Sequence, residues 1–157
     1  MSTGLKEALL LTHVFFGVCC AFSAIWCFVD VLNATPGNLT RIRWMSRAAC
    51  LFMWLAFIIG GYWYVVNYKE DKARILQGPW PFAHSFFMET KEHFVITLLI
   101  AVTYLPIAAA ADLAANKEAR RLALWIAGLI FVLALMAEGN GAIIALGVKM
   151  AFLAKPH

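Results

Sequence analysis

The chain has 157 residues, of which 63% are hydrophobic and only 14% charged, with a mean hydropathy of +0.78. A soluble domain carries roughly a quarter charged residues, so this composition excludes a water-soluble fold and makes lipid the solvent for most of the chain. The formal charge of +4 is spread in short clusters between apolar stretches, a pattern of membrane topology that offers no stripe for nucleic acid.

The first apolar run, about 8–31, follows Lys6 and is long enough to cross a bilayer, so it reads as a retained helix and not as a cleaved leader. It carries His13, Gly17, Cys19, Cys20 and Cys27; with Cys50 these are the four cysteines. None forms a CxxC pair, and free thiols serving as small apolar fillers are expected. Asn33, Pro36, Gly37 and Asn38 mark a turn into the second run, 45–68, which holds Gly60 and Gly61 near its far end. The segment 69–92 reads as an exterior connection, charged in its first half and aromatic in its second. Trp80, Phe82, Phe86 and Phe87 there suit an interfacial belt or a docking surface for a partner subunit. The third run, 93–113, contains Thr103, Tyr104 and a kinking Pro106; a short polar link leads to the fourth, 122–148, with Glu138 inside it. Each run reaches the roughly 20 residues that span about 30 Å of hydrocarbon. The expected architecture is all-α: one integral membrane domain over 1–157, folded as a four-helix up-and-down bundle.

Arg41, Arg43 and Arg47 after the first run, and Lys117, Arg120 and Arg121 before the fourth, are compact basic clusters. The basic residues of the opposite face (Lys6, Lys69, Lys72, Arg74, Lys91 and Lys155) are dispersed and mixed with acids. The positive-inside rule then puts the arginine clusters in the cytoplasm and both termini on the periplasmic side of a bacterial inner membrane.

His13 and His93 fall at matched depth near the outer end of helices that run in the same direction, which is what axial ligation of haem b requires. Gly17, Gly60 and Gly61 would make room for the porphyrin, and Lys91 would meet a propionate. His84, nine residues before His93, reads as a surface histidine. Glu89 and His93, one turn apart, form an alternative metal-binding face with His13; as plain structure, Glu89 and Glu92 complement the helix dipole of the third helix. Glu138 is costly at the bilayer centre. Thr103 and Tyr104 are within reach by depth, and proton transfer or quinone binding is the expected use.

No P-loop, dinucleotide fingerprint or metalloprotease motif is present, and a free-standing enzyme is not expected. The expected function is a b-type cytochrome-like electron-transfer protein, with haem held by His13 and His93 and electrons exchanged with quinone or a periplasmic partner. The alternative is an accessory subunit of a larger respiratory or photosynthetic membrane complex, in contact with other subunits or a second copy through 69–92. A small transporter using Glu138 is the third.

Overall fold

The computed structural model describes residues 3–154; Lys155, counted above with the outer basic residues, lies outside them. The described residues form four α-helices: α1 (Thr3–Leu32), α2 (Leu39–Gln77), α3 (Glu89–Ala108) and α4 (Lys117–Leu153). A π-helical segment, Ala83–Met88, runs directly into α3. All four helices are long and apolar enough to cross a membrane. The protein is a multi-pass membrane protein built as a four-helix bundle.

The bundle is closed by α1 against α2 and α4, and by α3 against the same two; α1 and α3 lie on a diagonal, and their backbones do not approach closely among the described residues. Small side chains line the seams. Cys20, Ala21, Ala24 and Cys27 of α1 meet a core that includes Ala49 of α2 and Ala123, Ala127 and Ala134 of α4. Such residues let helix backbones approach closely, which matters in lipid because apolar burial drives no association there. The large apolar residues instead face outward: Phe22 is 69% exposed, Val65 79% and Trp125 72%. That inversion is the signature of a lipid-facing surface. The four cysteines are free, with Cys20 and Cys27 buried as fillers.

Helix ends are tied by side chains. Asn38 receives the Thr35 N–H and donates to the carbonyls of Asp30 and Asn33, closing the first turn. Asn116 caps α4 by accepting the Ala119 N–H at 2.9 Å. The arginines of the first and third connections do the same for helix C-termini. Arg120 donates to the carbonyls of Val31 and Leu32 at the end of α1, and Arg43 donates to those of Ala109 and Ala110 after α3. Arg41 holds the buried Asp30 through two 2.6 Å bonds.

The segment expected to be an exterior connection, 69–92, is mostly helical. α2 continues to Gln77, and only Gly78–Phe82 separates it from the π-helical segment. Loss of hydropathy at Lys69 marks where the membrane ends, not where the helix ends, because Lys, Glu and Arg are good helix formers in water. Arg74 pairs with Asp71 at 3.3 Å and Glu70 at 4.0 Å, while Tyr68 and Ile75 stay buried. At 39 and 37 residues, α2 and α4 are about 58 and 55 Å long. Both project beyond the hydrocarbon.

Candidate polar site in the outer half of the bundle

His13 and Glu138 point into the bundle, each seated on a glycine of a neighbouring helix. The His13 ring lies against Gly60 of α2, where a Cβ would collide with it, and Nδ1 is 2.8 Å from the carbonyl oxygen of Ala56. The Glu138 carboxylate lies against Gly17 of α1, where a Cβ would again collide. Gly17 sits one turn from His13 on the same face of α1, so the imidazole and the carboxylate occupy successive levels of one seam. Gly17 is also near the middle of α1, which spans Thr3–Leu32; Glu138 is therefore level with mid-helix and His13 about 6 Å nearer the N-terminal end of α1.

Lys91 of α3 completes the group. Its Nζ reaches into the bundle over Gly141, 3.3 Å from where a Cβ would stand. Gly141 is three residues beyond Glu138 on α4, so the ammonium lies about one helical turn from the backbone of that acid. Three helices thus contribute an imidazole, an ammonium and a carboxylate, and glycines of α1, α2 and α4 make the room. A lone lysine or acid costs about 2.5 kcal/mol or more at mid-helix in a bilayer, and no ion pair joins Lys91 to Glu138 among the described residues.

A second polar group lies toward the end of the bundle that carries the N-terminus of α1, where the π-helical segment meets α2. His84, 4% exposed, has Nδ1 3.0 Å from the Tyr68 hydroxyl, and its Nε2 is 4.0 Å from Glu89 Oε1. Trp63 and Asn67, one turn apart on α2, bury Nε1 and Nδ2 with no hydrogen-bond partner among the described residues. The π-turn is held by Asn140 of α4, which donates to the Phe87 carbonyl at 3.2 Å. Gly147 lets Ala83 approach to 2.6 Å from the place of a Cβ. His84 is thus a core residue, not the surface histidine expected; the signal passed over was Asn67, a polar residue inside an apolar run.

Several expected contacts are not made. His93 is exposed, its Nδ1 turned back to the carbonyl of Glu89 one turn earlier. Two residues beyond the inward-facing Lys91, it projects about 200° round the helix, toward the outside. Lys91 faces the interior and not the rim. Thr103 donates to Leu99 and accepts from Trp54, and Tyr104 is exposed; neither is bonded to Glu138. Gly61 has no neighbour within 4 Å of a Cβ position. Of the aromatic residues, Trp80 and Phe87 pack partly against the outer core, while Phe82 and Phe86 remain exposed.

These positions decide how a haem would fit. Bis-histidine ligation needs two imidazoles turned toward one slot between helices. The slots at Gly17 and Gly60 are filled by Glu138 and His13, and His93 looks away. No group of three or more His, Cys, Asp or Glu suited to a metal occurs among the described residues. His13 and His93 are not turned toward one common slot between helices in this arrangement. Comparison with protein-family models, curated proteins and solved structures finds no match to this chain, so its function is argued from the site itself.

Proposed function

We propose that this protein handles protons in the membrane, with Glu138 as the inner proton carrier and Lys91 and His13 setting its charge balance. The observation that supports this is the meeting of three ionisable groups from three helices on glycine seats at mid-bundle. Ionisable residues in a bilayer interior mark ion paths and proton relays more often than packing. The His84–Tyr68 pair lies between this group and the outer surface and offers the next hydrogen-bonding step outward.

The service such a site performs best is to a lipid-soluble quinone, whose two-electron reduction takes up two protons. The setting proposed is a bacterial inner membrane with the arginine-rich ends cytoplasmic, where a separate redox partner subunit supplies the two electrons to quinone and this chain supplies the two protons. Infrared difference spectroscopy of the reconstituted protein tests the core of this reading. A protonated carboxylic acid band should titrate with pH and vanish in Glu138→Gln, with its midpoint moved in Lys91→Met. A band absent at all pH values, or unchanged in Glu138→Gln, would overturn it. An absorption spectrum before and after dithionite tests haem: a Soret band lost in His13→Ala would displace the proton reading with the haem one.

Exposed Phe82 and Phe86 support a second reading, an accessory subunit that docks by this aromatic edge. Under it, replacing both by serine abolishes co-purification of a partner and leaves the thermal midpoint in place.

A further inference from the structure

The opposite half of the bundle carries a groove unrelated to the polar site. It has a volume of about 600 Å3 and runs between α1 and α4, lined by Phe28 and Leu32 on one side and Trp125, Gly128 and Val132 on the other, with Arg121 at its mouth. Gly128 seats the Phe28 ring, which would stand 3.3 Å from a Cβ there, so ring and glycine together form the floor of the groove. The groove opens outward, with Trp125 and Val132 exposed.

Arg121 differs from the other arginines of this end. Arg41 pairs with Asp30, Arg43 and Arg120 cap helix termini, and Arg47 lies over the Trp44 ring. Arg121 is exposed and, among the described residues, makes no hydrogen bond or ion pair. Lys117, one turn earlier on the same face of α4, is likewise exposed and unengaged. Glu118 lies three residues before Arg121 and is a neighbour of it on the helix surface, but no ion pair joins the two among the described residues. A cationic pair therefore stands directly above an apolar groove. From Arg121 to Val132 the helix rises about 16 Å, the depth of one leaflet of a hydrocarbon core about 30 Å thick.

We infer that this groove binds one anionic phospholipid, its phosphate held by Arg121 and Lys117 and one acyl chain lying over Gly128 toward Val132. Charge and length each match that ligand: basic residues at a helix end recognise anionic headgroups, and an apolar cleft at the lipid boundary accepts a chain. The inference does not depend on the proton-handling reading, since none of its residues belongs to that site.

Native mass spectrometry of the full chain in mild detergent, with added phosphatidylglycerol or phosphatidylcholine, tests it. One phosphatidylglycerol should be retained with roughly tenfold or greater preference, the scale expected for two cations on an anionic headgroup. Lys117→Gln with Arg121→Gln should bring retention down to the phosphatidylcholine level; both residues are exposed, so the fold should survive. Gly128→Leu, with both cations intact, should also release the lipid by filling the groove. Equal retention of the two lipids, or phosphatidylglycerol retention unchanged by either variant, would overturn the inference. Loss in Gly128→Leu alone would do the same, since it would show a chain slot without headgroup recognition.

Discussion

Two glycines decide where the ionisable groups of this protein reside. Gly17 admits the Glu138 carboxylate and Gly60 admits the His13 ring, and in both places a single methyl group would occupy the same space. Gly60→Ala should push the imidazole off its seat and break the bond to the Ala56 carbonyl, costing about 1 kcal/mol, read as a lower thermal midpoint. Gly17→Ala should behave differently, because what it displaces is the flexible end of a glutamate. Stability should change little, while the infrared band assigned to Glu138 should move; an unmoved band would show that the carboxylate is not seated on Gly17. That a polar residue lies in each of these spans was legible in the sequence. Which neighbour each one faces was not, because the rotation of one helix against another is set by packing.

Among the elements, the π-helical segment is the one the sequence concealed. Its wider turn shifts every later residue of α3 relative to a continuous α-helix, so Lys91 and His93 cannot be placed from spacing alone. Asn140→Ala should leave the Phe87 carbonyl without its donor and cost about 1 kcal/mol. If His84 depends on the π-turn, the same variant should also alter the environment of the Trp63 indole, seen in its fluorescence. Helix ends obey local chemistry more directly. Arg120→Ala should destabilise the C-terminus of α1 by freeing two carbonyls, and hydrogen exchange at Val31–Asn33 should rise first. At the Asp30–Arg41 pair, Arg41→Ala should lower the thermal midpoint more than Asp30→Asn does, because the former strands a buried carboxylate.

At the scale of the whole molecule, the bundle is chemically divided along its axis. One end is an arginine-capped set of helix termini above the apolar groove between α1 and α4; the other carries charged helix extensions and two stacked polar groups. The proposed orientation is tested by cysteine labelling in intact cells in a cysteine-free background. Glu7→Cys should react with an impermeant reagent and Asp112→Cys should not; the reverse pattern would invert the bundle and turn the polar site toward the cytoplasm.

The membrane class, the number of spans and the pairing of arginine-rich ends were determined by the sequence alone, because hydropathy, helix length and charge placement are local properties that a bilayer reads one segment at a time. The extension of α2 past Tyr68, the burial of His84, the inward turn of Lys91 and the outward turn of His93 were decided only in the tertiary structure. Each depends on which small residue of a neighbouring helix leaves a space, and that is a property of pairs of helices. The bundle is thus written in the hydropathy of its segments, and the site in the fit between them.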